Sequence, residues 1–450
     1  MPEGIIGEAA GTFSELSGNP CPKVRMDVVT NDLAILQTRQ SEMPQMSPEG
    51  RKTLDAIYHG LCIYSVSTII VFVGVFTGRS FLEPGIHPLR PAAADFVGSF
   101  AAWDGYWYKQ IAEVGYSYDP ATQSSVAFFP GYPLLGRAIK KATGVRTEWA
   151  LLAVSHFFLA LSFGLLAAYV QQREAEVGTK LARHVLLAFG LFPVTCFFRM
   201  AYSESLFFFI ILLALYGMQR KWPLLLLALV IGAATAVRTV GVALFVPFLV
   251  HLWRCSVSRK QFLLQATLLL PVATWGLATY MIFQYWEFQD CLAFVKTQTH
   301  WRHRPVVSSS EKLESLLCLE PIWEVFSPSS PLYWRQLDHT TPILFSLTLA
   351  NPLFFLLAAG LTWLGARNRW LTLEEILLAA FLLLIPYAGR GYEWGMDSAG
   401  RFSAVVFPIY MVLGRLLQRI PTLGLATCLL VSSFYLGLYS ALFTTWHRVL

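Results

Sequence analysis

Ionisable side chains gather at a few points in an otherwise apolar chain. Asp104 lies in Ala102-Trp103-Asp104-Gly105-Tyr106-Trp107-Tyr108, and Glu204 in Tyr202-Ser203-Glu204-Ser205. Arg238 interrupts two apolar runs, and His300-Trp301-Arg302-His303-Arg304 form a basic, aromatic cluster. Glu393, Asp397 and Arg401 share the stretch Gly391–Arg401. A carboxylate beside indoles can serve as a base, because burial raises its proton affinity. Guanidinium groups suit phosphate oxygens, which they grip in a bidentate way. Plainer roles stand beside each of these. Asp104 can cap a surface helix, Glu204 can neutralise Arg238, and Arg401 can reach to lipid headgroups. His300 and His303 lack metal spacing with a clear third ligand. Asp104 and Glu204 are the carboxylates a divalent ion would use, although there is no DxD pair. No P-loop or GxGxxG pattern is present, so a nucleotide is not implied.

The elements that position these groups are set by composition. Hydrophobic residues make up 55% of 450 positions and charged residues 14%, with a net charge of +6 and a mean hydropathy of +0.51. Soluble domains carry about 25% charged residues. The expected fold is therefore all-α, a polytopic transmembrane bundle of about 11 spans, each needing roughly 20 apolar residues. Apolar runs lie near 60–77, 149–170, 184–198, 205–218, 223–237, 239–253, 262–283, 342–364, 373–388, 402–418 and 421–443. Those near 198–205 and 238 read as broken or re-entrant, a feature tolerated where it lines a protein cavity. With the N-terminus cytoplasmic, twelve Lys and Arg residues (Arg173 through Arg419) fall in short inner loops. Only Arg199, Arg238, Arg390 and Arg401 then fall in short outer turns. Long outer loops follow at about 78–148 and 284–341, and nearly all the polar clusters lie on the outer side. Residues 103–116 read as an amphipathic helix on the membrane surface, and Phe128-Phe129-Pro130-Gly131-Tyr132-Pro133 as a rigid turn. Residues 1–50 read as a disordered cytoplasmic tail and 51–450 as the membrane domain. The seven cysteines show no CxxC pair. Cys291 and Cys318 share an outer loop, where a disulfide would be permitted.

Three stretches resemble the GPI mannosyltransferase 2 (PIG-V) family, multi-spanning glycosyltransferases of the GT-C class. They are Trp103-Asp104 followed by Ile111–Tyr116 and Ala127–Pro133, then Ala201–Phe207, then Ala234–Gly241. The last reads Arg238-Thr239-Val240-Gly241 where the family usually has Arg-Ser-Asn-Gly. The resemblance implies a GT-C-like fold and inverting transfer of mannose from a polyprenyl (dolichyl-like) phosphate. The acceptor would be a lipid or glycan hydroxyl on the outer or luminal face. It implies Asp104 as base, with Glu204 as a second catalytic carboxylate or as the group that orients Arg238. Arg238 and Arg401 would bind the donor phosphate. Trp103, Tyr106, Trp107, Phe129 and Tyr202 would contact substrate. No cofactor is required on this reading, and the partners are membrane lipids, donor and acceptor, with no nucleic acid. The membrane is that of a bacterial cell or of the endoplasmic reticulum. A GT-C transferase of another sugar and a polyprenyl-lipid flippase remain the alternatives.

Overall fold

The structure, a computed structural model, describes residues 48–83, 95–174, 178–339 and 341–448, with side chains from Leu54 onward. The expected tail at 1–50 lies almost wholly outside the described residues. The chain divides after Arg51, and everything that follows concerns the unit Lys52–Leu450. Among the described residues there is no strand.

Every apolar run of the sequence is helical. The principal helices are α1 (Pro48–Phe81), α2 (Asp104–Glu113), α3 (Gly131–Thr143), α4 (Thr147–Arg173), α5 (Gly178–Leu191), α6 (Glu204–Gln219), α7 (Leu224–Val237) and α8 (Phe245–Cys255). They continue as α9 (Arg259–Ala273), α10 (Trp275–Phe288), α11 (Ser309–Leu317), α12 (Leu347–Arg367), α13 (Leu373–Trp394), α14 (Ala399–Ala404), α15 (Pro408–Leu417) and α16 (Thr422–Thr444) once the shorter turns are left unnumbered. Among the described residues, α1, α4, α12 and α16 are long and apolar enough to cross a membrane alone. Two bent pairs bring the number to six, and α6, α7, α15 and the segment Thr239–Cys255 are shorter apolar helices. The expected eleven spans are thus not matched one for one: the runs 262–283 and 402–418 are each divided between two helices, and several of the others are too short to span singly.

The breaks have local causes. At Pro193 the chain turns by 77° from α5 into a 3₁₀ segment, Pro193–Arg199. Arg199 is 1% exposed, and its guanidinium holds this corner together. It donates to Thr195 O at 3.1 Å, to Thr68 Oγ1 at 3.2 Å, and to the Ser67 hydroxyl. A cation satisfied by carbonyls and hydroxyls suits the negative end of a broken helix. At Arg238, φ −152° and ψ 143° end α7, and a 3₁₀ segment, Thr239–Leu244, folds back on it. Gly241 permits this, since a Cβ there would sit 2.6 Å from the Ala234 carbonyl carbon. The 49° bend between α9 and α10 was not foreseen, and it follows Pro271 inside α9.

The first and last helices cross closely at Gly74 and Gly437, with Gly78 and Ala441 one turn on. This is small-residue packing typical of membrane helices. A Cβ at Gly74 would lie 2.2 Å from Gly437 O. Gly74→Leu is therefore expected to cost about 3 kcal/mol through overpacking. Gly360→Leu, with nothing within 4 Å, should be nearly silent. Thermal unfolding of the two variants in one detergent checks this, and equal melting temperatures would refute the tight crossing.

Cys291 and Cys318 are both free thiols, so the permitted disulfide is not formed. The described parts of the two long loops expected on the outer side are folded rather than extended. The first carries α2 and α3, and the second carries α11 and several single helical turns.

Candidate functional site

Helix α2 is amphipathic as expected, burying Trp107, Tyr108, Ile111 and Ala112 along one face. Asp104 is its first residue, but its carboxylate does not cap it: Trp103 holds the cap position and no side-chain cap is made. Trp103 has φ 55° and ψ −120°, a costly conformation for an indole-bearing residue, of a kind that concentrates at functional sites. The Asp104 backbone N–H donates to the Tyr202 hydroxyl at 3.1 Å, which fixes the helix start against the second motif.

The carboxylate instead reaches across the fold. Asp104 Oδ2 accepts from Arg401 Nη1 at 2.7 Å, and Arg401 enters from α14. Glu204, at the start of α6, accepts from Arg238 Nη1 at 2.5 Å and lies 3.3 Å from Arg401 Nε through the same oxygen. The result is a chain of four charges: Asp104, Arg401, Glu204, Arg238. The Arg401 guanidinium lies over the Tyr202 and Phe402 rings, each at 5.2 Å. Ser203 joins the same network, 2.9 Å from the Tyr108 hydroxyl and 3.4 Å from Arg238 Nη1. The turn at Pro130-Gly131 packs on the end of α7, where a Gly131 Cβ would meet Val237 and Ala236 at 2.8 and 3.0 Å. Thus the three sequence motifs converge on one point.

Two cavities open beside this network. The first, about 330 Å³, is polar and aromatic, with Asp104, Arg401, Trp103, Trp107, Phe128, Trp301 and His303 among its walls. The second, about 400 Å³, has Arg238 at one side and Leu382, Ile385, Pro386 and Val405 along an apolar stretch. They share Gln298, Arg302, Arg390 and Trp394, so these four residues form the seam between them. Trp107 stacks on Phe128 at 5.7 Å, and Trp301 stands edge-on to Trp107 at 6.1 Å.

The expected site residues fall in different places. Trp103, Asp104, Trp107 and Arg401 face the first cavity, and Arg238 faces the second. Glu204 has a side-chain exposure of 2%, and Tyr202 is fully buried; both stand behind the wall. Phe129 lies in a separate core cluster with Tyr280 and Phe294. Tyr106 is 42% exposed and lines neither of these two cavities. Asp104 and Glu204 each face guanidinium groups, a donor set that does not suit a divalent cation. Among the described residues no three His, Cys, Asp or Glu gather as a metal centre would need.

Several wall residues were not singled out as site residues by the sequence reading: Phe128, Trp301, Arg302, His303, Arg390, Trp394, Asp397 and Arg448. Their gathering at the outer side was the available signal, since the loop histidines and the Gly391–Arg401 stretch were already conspicuous. Asp397 fastens the second loop. It accepts from Arg448 Nη2 at 2.5 Å and pairs with His303 Nε2 at 3.0 Å, while the His303 backbone N–H donates to Glu393 O at 2.8 Å. Burial pushes the Asp397 carboxyl up, but Arg448 and His303 outweigh it and hold it below the usual carboxylate range. A lowered folded-state value gives stability that is complete above about pH 4 and fades as pH falls through the folded value. Protection of the His303 amide, its exchange relative to an unstructured amide at the same pH, should therefore fall in acid below about pH 4. In Asp397→Asn it should be low already at pH 7. Wild-type protection in that variant would remove Asp397 as the fastening.

The family model for mannosyltransferase (PIG-V) matches residues 89–335, more than half of the chain. The chain belongs to this family. No curated protein matches significantly. Solved structures of similar shape include ArnT from Cupriavidus metallidurans bound to undecaprenyl phosphate, at 13% identity and a TM-score of 0.46. It covers 85% of this chain and 69% of that one. The apo oligosaccharyltransferase of Archaeoglobus fulgidus is similar at 13% identity and a TM-score of 0.41, covering 86% and 56%. AglB from the same organism, with an inhibitory peptide and a dolichol-phosphate, is similar at 12% identity and a TM-score of 0.41, covering 87% and 56%. This member of the mannosyltransferase (PIG-V) family spans little more than half the length of the archaeal proteins it matches.

Proposed function

We propose that this chain is a membrane mannosyltransferase that moves mannose, with inversion, from a polyprenyl-phosphate donor to a hydroxyl of a lipid or glycan acceptor on the outer face. The observation that carries this reading is Asp104 on the wall of an aromatic cavity, at the end of a guanidinium network, beside a second cavity with an apolar stretch. The prenyl chain fits the side lined by Leu382, Ile385, Pro386 and Val405. The acceptor fits the side lined by indoles, whose faces suit sugar C–H groups.

Arg401 holds Asp104 Oδ2, which leaves Oδ1 to take the acceptor proton. As that proton leaves, the acceptor oxygen bonds to the anomeric carbon. The bond from that carbon to the phosphate oxygen breaks, and its electron pair stays on the phosphate. Positive groups at the seam stabilise the charge that builds there. Glu204, wedged between Arg238 and Arg401, serves to position those two arginines rather than to take a proton.

The distribution of charges supports the outer face. Arg254–Glu374 and Arg415–Glu174 lie at the end of the helices where the basic short loops sit. The network lies at the other end of α13, a helix roughly 33 Å long. Purified protein in oriented vesicles, given radiolabelled polyprenyl-phosphate mannose and host lipid extract, should yield a labelled product from donor supplied outside. Donor that crosses the bilayer unchanged, with no product, would replace this reading by the flippase. Transfer from a different polyprenyl-phosphate sugar alone would replace mannose.

A further inference from the structure

Most cationic side chains around the two cavities are already neutralised. Arg238 pairs with Glu204, Arg401 with Asp104 and Glu204, Arg448 with Asp397, and Lys312 with Glu393. Arg390 and Arg302 differ: among the described residues neither guanidinium has a carboxylate partner or a side-chain hydrogen bond. Both also line both cavities, so they stand at the seam itself. Arg390 is held by rings rather than by acids, 4.5 Å from the Trp394 centroid and 5.9 Å from that of Phe402. Ring contacts orient a guanidinium without satisfying its N–H donors, which leaves its planar fork ready for an oxyanion. Leaving two such cations unpaired at the edge of a low-dielectric groove is costly unless a ligand supplies the negative charge.

We infer that Arg390 and Arg302 form the site of the leaving phosphate, and that they hold the free prenyl phosphomonoester more tightly than the sugar-bearing diester. This rests on the lipid-phosphate donor proposed above, and it shifts the phosphate from Arg238 and Arg401, whose charges are already engaged, to a different pair. The charge count gives the preference. A phosphodiester carries one negative charge. Once the bond to the anomeric carbon breaks and its electron pair stays on oxygen, the phosphomonoester carries about two. Two unpaired guanidiniums match the second state, so their interaction grows as the bond breaks, which is the condition for lowering a barrier. The same match makes the prenyl phosphate a product inhibitor.

The test uses the full chain in detergent with three probes: farnesyl phosphate, its methyl diester and farnesol. Wild type should bind the monoester best and farnesol least. Arg390→Gln should weaken the monoester at least about tenfold, as loss of a charge-assisted contact does, and leave farnesol unchanged. Arg390→Lys should recover part of the loss, because charge returns without the fork. Arg302→Gln, on a loop outside the helices, should reduce the same preference and guards against a folding defect at Arg390. Monoester preference retained in both Gln variants would overturn the inference while leaving the donor reading intact. No binding of either phosphate by wild type would overturn both.

Discussion

Asp104→Asn should lower mannosyl transfer by on the order of a hundred- to ten-thousandfold, the range that a positioned general base supplies. Asn matches the shape of Asp, and its side-chain oxygen can still accept from Arg401, so the wall of the cavity should persist. What disappears is the lone pair that takes the acceptor proton. Removal of one negative charge leaves Arg401 paired with Glu204 alone, so a modest fall in melting temperature is expected as well. Binding of donor should change little, which separates a defect in chemistry from one in substrate capture. The measurement is single-turnover transfer with labelled donor, alongside donor affinity in the same preparation. Equal rates in wild type and variant would retire Asp104 as base. Glu204 is poorly placed to take over the role, since its Oε1 lies between two guanidiniums at 2.5 and 3.3 Å behind the wall. The pair His303 and Asp397, on the same wall, would be the next candidate.

Much of this site could be read in the sequence because its parts are local. Trp103-Asp104, Ser203-Glu204 and Arg238 each stand out within a few residues, and the breaks near 198–205 and 238 follow from a proline and an arginine in apolar runs. The pairing of Glu204 with Arg238 was already one of the open readings. The partner of Asp104 was not legible, because Arg401 is 297 positions away and several arginines compete for it. Pairing of charges is a property of the packed helices. The same holds for Arg390, which in the sequence was one of four basic residues in short outer turns. Only the fold shows that its neighbours in charge are taken and that it stands between two cavities. Phe129 shows the converse. Its motif drew attention, yet the turn that contains it buries the ring against Tyr280 and presents Phe128 to the cavity instead. The reversal is a matter of one residue in the direction of a turn, which composition and motif do not fix.

Glu204→Leu should be the most damaging single change for stability, at about 3–5 kcal/mol, because it strands buried positive charge. Arg238 would lose its only carboxylate among the described residues, and Arg401 would keep only Asp104. The Glu204 carboxylate is 2% exposed, so water does not reach the side of the guanidiniums that it covers. Glu204→Gln retains a hydrogen-bond acceptor and should cost less, about 1–3 kcal/mol, the penalty of a weakened buried polar contact. The double variant Glu204→Leu with Arg238→Leu should recover part of the loss, since two apolar groups can replace a buried pair more cheaply than one can break it. Thermal unfolding in a single detergent gives the three values. A double variant no better than Glu204→Leu would mean that the stranded charge is Arg401 rather than Arg238, and would place the weight of the network on the Asp104 side. Activity divides the roles further. If Glu204→Gln folds and transfers mannose slowly at an unchanged pH profile, Glu204 positions the guanidiniums. If instead the profile loses its acidic limb, Glu204 itself takes up a proton during the reaction, and the assignment of the base to Asp104 fails.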